Sequence, residues 1–429
     1  MSLMNDRYDV IVIGGGPSGM MASSRAAQST CRVVLLEKMG RLGRKLAITG
    51  KGRCNLTNTE VQEDFLLHYG KNGKFLRNCF ARFFNQDLID FLKVNGVETV
   101  VERGRRVFPA DVDAEGIVRF LHEHLRKQNV EIRTGFGVDN VLARDGQITG
   151  VLVNGTIVYG HAVIVATGGL SYPDTGSTGD GYRWAMDLGH RVRKPEAGLV
   201  PLEIEEAFVP VLQGLTLKNV ELSAFAHGRR FAHLFGEMLF THFGISGPIV
   251  LTMSRVIAQM LDKHKVTLTI NFKPALTRIK LEKRLLREFD EYGRMKFKNV
   301  VKHLLPGRLV DVFVQVSGIP GDKKACEIDR PERQRIIQLL HAFPLTVRCI
   351  RPIAEAIVTD GGVALNEIDP LTMQSRVVKG LFFCGEVIDI AGDTGGYNLQ
   401  AAFSTGYVAG ESACGCLKGE GLRSKLPAM

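Results

Sequence analysis

The sequence predicts an α/β protein whose parallel-sheet domain is assembled from both ends of the chain. An inserted β-barrel, itself carrying a helical subdomain, separates the two ends. Three observations predict this. A glycine-rich turn at 14–19 joins an apolar run to a helical stretch, as at the first turn of a Rossmann-like βαβ unit. Apolar runs that end in glycine recur near residues 168 and 385, far apart in the chain. Between them, from about 195, strands alternate without a helix after each, and from 275 the pattern turns helical. The expected boundaries are 1–194 with 357–429 for the nucleotide-binding domain, 195–274 with 344–356 for the barrel, and 275–343 for the helical subdomain.

The first strand, Ile11-Val12-Ile13, runs into Gly14-Gly15-Gly16-Pro17-Ser18-Gly19, and Val33-Val34-Leu35-Leu36-Glu37 follows one helix later. Each part of this G-x-G-x-x-G has a mechanical duty. Gly14 permits the tight turn, Gly16 lets backbone approach a pyrophosphate, and Gly19 lets the helix lie close on the sheet. The helix beginning at Pro17 and Ser18 offers free N–H groups and a positive dipole end to phosphate. Glu37, eighteen positions after Gly19, is placed to accept from a ribose hydroxyl.

A helical stretch at 75–94 carries Phe80, Phe83, Phe84, Leu88 and Phe91 at three- and four-residue spacings. Another at 114–127 carries Ile117, Val118, Leu121 and Leu125. Segments 130–134 and 137–142 read as strands, and 148–153 with 156–159 as a hairpin around Asn154-Gly155. Ala162-Val163-Ile164-Val165 is a buried strand running into glycines, as a parallel strand does where a nucleotide must come close. In the insertion, 266–270 alternates as a strand, and Phe297, Val300, Val301, Leu304 and Leu305 share one helical face. A further helix at 333–341 carries Ile336, Ile337 and Leu340. The α/β character resumes at 357–363 and passes through the strand 380–386 to a closing helix from about Asn398.

A chain of 429 residues suits two or three domains, and its 45% hydrophobic and 23% charged residues are those of an ordinary soluble globular protein. No run approaches the roughly eighteen apolar residues that a membrane span needs. The N-terminus enters a core strand almost at once, so no signal peptide is expected. Eight cysteines, at 31, 54, 79, 326, 349, 384, 414 and 416, include no C-x-x-C pair. That excludes zinc-ribbon and thioredoxin-like motifs and predicts reduced thiols in a cytoplasmic protein. Without H-E-x-x-H, an EF-hand loop or G-x-S-x-G, neither a metal site nor a hydrolase is expected. Residues 275–308 hold ten lysines and arginines against four acids, an excess of +6 within a net charge of +10. Such a stretch is either a contact for RNA or, the favoured reading, the solvated face of a helical subdomain.

Four further glycine-rich segments bear on chemistry. In 50–58, Gly50 and Gly52 permit close backbone approach while Arg53, Asn55 and Thr57 supply polar contacts. Cys54 has no second cysteine nearby for disulfide exchange and reads as a structural thiol. Ala166-Thr167-Gly168-Gly169 leads to Asp180, which sits between two glycines and either bonds a ligand or caps a turn. Gly385-Glu386 precedes Gly392-Asp393-Thr394-Gly395-Gly396-Tyr397-Asn398-Leu399, a helix start able to stabilise developing negative charge. The segment 236–248 contains His242, which either faces substrate or is a structural histidine.

Together these segments resemble the BaiN/aminoacetone-oxidase-like FAD-dependent oxidoreductases, the NAD(FAD)-utilising dehydrogenase type. The resemblance spans nearly the whole chain and rests on GKGRCNLTN at 50–58, ATGGLSYPDTGSTGDG at 166–181, GEMLFTHFGISGP at 236–248, AIVTDGGV at 356–363 and GGYNLQ at 395–400. It implies an FAD domain interrupted by a β-barrel with a helical insertion. It also implies FAD contacts from 14–19, Glu37, Lys38, the 50–55 loop including Arg53, Cys54 and Asn55, Val138, Ala166, Thr167, Gly168, Glu386, and Asp393 through Leu399. Only one complete G-x-G-x-x-G follows a strand, so NAD(P)H would act as a transient co-substrate in a ping-pong cycle. The expected function is an NAD(P)H-linked dehydrogenase or reductase passing hydride through flavin N5 to or from a small organic substrate. Arg53 and His242 are the candidates for polarising that substrate. The alternatives are a small-amine oxidase releasing hydrogen peroxide and an RNA-modifying flavoprotein.

Overall fold

The opening apolar run becomes the strand Arg7–Ile13 in the middle of a sheet, with Val10, Ile11 and Val12 fully buried. An unbroken apolar run is what a parallel strand covered on both faces requires. The structure is a computed structural model and describes residues 7–29 and 31–416. The described chain divides into two compact units: one runs to Ala197 and resumes at Ile357, and the other is Gly198–Ala356.

The first unit is built on a seven-stranded sheet in the order Glu131–Thr134, Val33–Glu37, Arg7–Ile13, Thr156–Val165, Gln147–Val153, Val138–Arg144, with Leu381–Phe383 also paired to Thr156–Val165. The sequence suggests separate strands at 156–159 and 162–165. They form one, because Arg7–Ile13 pairs along both parts, from Arg7 opposite Tyr159 to Ile13 opposite Val165. The first part pairs antiparallel with Gln147–Val153, and the last part pairs parallel with Leu381–Phe383. The closing helix Tyr397–Gly415 lies on Pro17–Gln28 through small residues. A Cβ at Gly406 would come within 2.3 Å of the Ser18 carbonyl oxygen, and one at Gly410 within 2.2 Å of that of Ala22.

The stretch expected to be helical over 75–94 is broken into Arg77–Arg82 and Asn85–Val94. The break falls where Phe83 stacks on Tyr407 and Phe84 packs edge-on to Phe65, while Asp87 accepts the Phe84 N–H and starts the second helix. The expectation that all cysteines are reduced is also corrected. Cys31 and Cys414 form a disulfide with Cα atoms 6.2 Å apart. The other described cysteines are free.

The second unit contains a closed barrel of Leu202–Ile204, Gly244–Ser246, Arg229–Phe240, Thr216–Ala226, Val266–Asn271 and Phe343–Ile350. Contrary to the sequence reading, a helix, Pro248–Leu261, lies among these strands and buries Ile249, Val250, Met253 and Ile257 against them. Helices Arg278–Glu291, Phe297–Val301, Gly307–Ser317 and Arg330–His341 share one apolar core with the barrel. The last begins earlier than its apolar spacing suggests because Asp329 caps it, accepting from the Glu332 N–H at 2.8 Å. Among the described residues no helix is long and apolar enough to cross a membrane, and no cluster suits a metal ion.

Candidate dinucleotide site

The turn after Arg7–Ile13 separates its three glycines by what surrounds them. Gly14 has φ +105°, and a Cβ there would sit 2.5 Å from the Ala166 carbonyl oxygen. A Cβ on Gly19 would sit 1.9 Å from the Gly14 carbonyl oxygen, so the helix can seat only without a side chain. At Gly16 a Cβ would meet no protein atom within 4 Å, and the backbone is extended. The turn therefore packs inward at 14 and 19 and opens outward at 16, as a pyrophosphate cradle requires. Pro17 and Ser18 open the helix, whose first N–H groups have no carbonyl one turn earlier to bond.

Glu37 is oriented by backbone: Oε2 accepts from Gly15 N–H at 2.7 Å and Oε1 from Met39 N–H at 2.8 Å. Each oxygen keeps a further lone pair for a ribose hydroxyl. Phe136 N–H bonds the Glu37 carbonyl at 3.0 Å, which brings the start of the strand at Val138 beside this acid. Lys38 does not project freely; its Nζ lies 2.7 Å from Asp180 Oδ2 and also bonds Thr178. Asp180 is thus an ion-pair partner. Burial alone would raise its pKa, but hydrogen bonds from Lys38 and Thr178 outweigh it and hold the carboxyl below the usual range.

In the 50–58 loop, Gly50, Lys51, Gly52 and Cys54 all have positive φ, which folds the chain tightly. Cys54 points inward, and burial pushes its thiol up to about 12, so it carries no thiolate near neutrality. Arg53 points outward, with its guanidinium 2.5 Å from Glu102 and 4.4 Å over the Phe108 ring. Asn55 reaches the far end of the chain, its amide oxygen accepting from Gly396 N–H at 3.0 Å.

That far end is a braced helix start. Asn398 Oδ1 accepts from Gly392 N–H at 2.8 Å, and its Nδ2 donates to the Gly392 carbonyl at 2.9 Å and that of Asp393 at 3.1 Å. Gly396, with φ +100°, lies so close to Thr57 that a Cβ would fall 2.4 Å from its carbonyl oxygen. The N–H groups of Tyr397, Asn398 and Leu399 form the positive end of the nineteen-residue closing helix. Gly395 precedes it at φ +136°.

Two features had no local signal. Lys45 Nζ bridges Glu386 Oε2 at 2.7 Å and Ser171 Oγ at 2.6 Å. Glu386 Oε1 accepts from Ser171 Oγ at 2.8 Å and from Thr359 N–H at 2.7 Å. Burial would raise the Glu386 carboxyl, but Lys45 overrides it and holds the group below its ordinary value. Gly385, Ala166 and Gly168 flank this knot at strand ends, and the nearby Thr167 Oγ1 is buried with no protein partner. The second feature joins Glu60, His68, Asp393 and Tyr397. His68 Nδ1 lies 2.9 Å from Asp393 Oδ2 and Nε2 lies 3.0 Å from Glu60 Oε2, which also accepts from Tyr397 OH at 2.9 Å. His242 belongs to the second unit, exposed in a barrel turn with its ring edge-on to Phe243.

The HI0933-like protein Rossmann domain family matches residues 8–412. The chain belongs to that family. A 3-dehydro-bile acid delta(4,6)-reductase from Clostridium scindens is 31% identical over 406 residues, covering 94% of this chain and 98% of the relative. A ribosomal RNA dihydrouridine synthase from Escherichia coli is 32% identical over 406 residues, covering 95% and 98%. Among solved structures, a 3-ketosteroid-delta4-(5alpha)-dehydrogenase from Rhodococcus jostii RHA1 aligns over 96% of this chain and 97% of its own, with a TM-score of 0.53 at 16% identity. That likeness shows the fold. This member of the family is an FAD-dependent oxidoreductase. Its residues fit the cofactor: an open cradle at Gly16, an oriented ribose acceptor at Glu37, and a buried unpartnered hydroxyl at Thr167.

Proposed function

We propose that this chain reduces a carbon–carbon double bond conjugated to a carbonyl, with NADH or NADPH as the electron source. The observation that carries the reading is the single strand–G-x-G-x-x-G–helix turn. With one nucleotide-binding turn given over to FAD, the nicotinamide and the substrate take turns at one face. The two relatives support the substrate class, since a delta(4,6)-reductase and a dihydrouridine synthase both add hydrogen across an unsaturated ring. When bound, FAD supplies two-electron chemistry. The chain's own part is orientation and charge. The 14–19 turn holds the pyrophosphate, Glu37 the ribose, and the helix start at 396–399 places positive potential where charge accumulates. Arg53, solvent-exposed in the 50–58 loop, is the group we assign to polarising the substrate carbonyl.

The test is an anaerobic titration of the yellow protein with each nicotinamide, followed by a cyclic enone. NADH or NADPH should bleach the flavin absorbance and the enone should restore it. Failure of both nicotinamides to bleach it removes the proposal. Peroxide released from a small amine in air, without nicotinamide, would instead make the chain an oxidase.

A second reading places the conjugated bond in an RNA base. It is favoured by Lys280, Lys283, Arg287, Arg294, Lys296, Lys298 and Lys302, all exposed on the helical segment. A uridine-containing ribosomal RNA transcript should then bind with an affinity that falls steeply as salt rises. Binding without a salt slope, or none, removes this reading.

A further inference from the structure

We propose that His68 is a positioning residue for the flavin, a doubly protonated strut between Glu60 and Asp393 that seats the 392–396 loop and the start of the closing helix. The inference rests on the flavin site alone and is independent of the substrate.

The geometry requires both ring protons. Nδ1 faces Asp393 Oδ2 at 2.9 Å and Nε2 faces Glu60 Oε2 at 3.0 Å, and ionised carboxylates only accept. A neutral imidazole carries one N–H, so one nitrogen lone pair would confront a carboxylate oxygen. The imidazolium alone satisfies both sides. Its ring also lies flat on Tyr397, with centroids 3.8 Å apart and planes 21° from parallel. That face is suited to a cation.

Around this ring the segment 60–69 is fastened repeatedly to the loop that opens the closing helix. Asp393 N–H bonds the His68 carbonyl at 3.1 Å, Tyr397 OH bonds Glu60, and Tyr69 OH bonds the Tyr397 carbonyl at 2.7 Å. The groups facing His68 are therefore two carboxylates and two phenols, with Arg105 near Tyr397 as the other charge. Burial and neighbouring acids keep both phenols protonated. Burial alone would lower the His68 pKa, but Asp393 and Glu60 outweigh it and raise the ring above its ordinary value. Loss of the proton leaves two carboxylates facing a neutral ring. The strut then turns repulsive at one end and frees the helix start. A raised histidine pKa makes its stabilising contribution full at low pH and spent as pH rises through the folded value.

The experiment follows the release of FAD from the holoenzyme on dilution, by recovery of free flavin fluorescence, between pH 6 and 9.5. Wild-type protein should release FAD about ten to a hundred times faster at the alkaline end, which is what one charge-assisted hydrogen bond is worth. His68→Gln should release it fast at every pH, and Glu60→Gln should move the transition to lower pH. Independently of any variant, ring ¹⁵N resonances of wild-type protein at pH 7 should show His68 protonated at both nitrogens. A neutral His68 ring at pH 7, or a His68→Gln release profile that overlays wild type, overturns the proposal.

Discussion

The glycines of the opening turn make a quantitative test, because two substitutions one helical turn apart should fail in different ways. In Gly19→Ala the new Cβ would lie 1.9 Å from the Gly14 carbonyl oxygen, a backbone atom that cannot rotate aside. Relieving it means lifting the helix Pro17–Gln28 off the strand it crosses. Overpacking of this kind costs about 1–3 kcal/mol. For a unit of this size that is a fall in Tm of roughly 2–12 °C, since each kcal/mol shifts it by about 2–4 °C. In Gly16→Ala no protein atom lies within 4 Å of the added carbon, and φ −78° is open to alanine. Alanine is a poor N-cap, at a cost of about 0.5–1 kcal/mol, but it also restricts the unfolded chain, which returns about 0.4–1 kcal/mol. The two nearly cancel. Gly16→Ala should therefore keep its Tm without FAD yet lose at least about tenfold in FAD affinity, or roughly 1.4 kcal/mol. The assay is paired: thermal unfolding of flavin-free protein, and FAD binding by fluorescence quenching. If Gly16→Ala binds FAD like wild type, the space beside residue 16 is not the pyrophosphate cradle.

Three further outcomes follow from the same geometry. Cys414→Ser should lower stability under oxidising conditions by about 2–4 kcal/mol, and reductant should bring wild type to the same Tm; a thiol count showing all eight cysteines free would contradict the bond. Lys45→Met strands the Glu386 carboxylate, at a cost of about 2–3 kcal/mol, less than for a wholly buried pair because both side chains keep some exposure. Because that carboxyl is held below its ordinary value, its contribution is full above the unfolded pKa and drains as pH falls through the folded one, so urea titrations at falling pH should show the loss in wild type and not in the variant. Arg53→Ala should leave Tm unchanged, since its pair with Glu102 is exposed, while kcat/KM falls; unchanged turnover would free Arg53 of any role toward substrate.

What could be read from the chain alone was whatever depends on neighbours in sequence. The duties of Gly14, Gly16 and Gly19 are local, and the buried strand at 162–165 announces itself by an unbroken apolar run. Lys45, Thr359, Glu60 and His68 carry no such mark. Lys45 stands 341 positions from Glu386 and His68 stands 325 from Asp393, so only the folded sheet introduces them. The same holds for Cys31 and Cys414, 383 positions apart, where spacing rules that recognise C-x-x-C see nothing. The break in 75–94 was hidden for the opposite reason. Its phenylalanines satisfy a helical spacing, but Phe83 and Phe84 find better partners in Tyr407 and Phe65 than a continuous helix would offer. Pro248–Leu261 carries no separate mark because the strands on either side of it set the pattern of the whole region.

Leu381–Phe383 and the closing helix emerge from the ribosome after residues 198–356, yet the former lies against Thr156–Val165 and the latter covers Pro17–Gln28. Residues Gly198–Ala356 emerge earlier and hold all the strands of their own barrel, so they can mature while the first half of the chain waits with an incomplete sheet. A nascent chain that has not yet delivered Tyr397–Gly415 thus leaves Pro17–Gln28 uncovered on that side, and its first unit can close only once that helix has emerged.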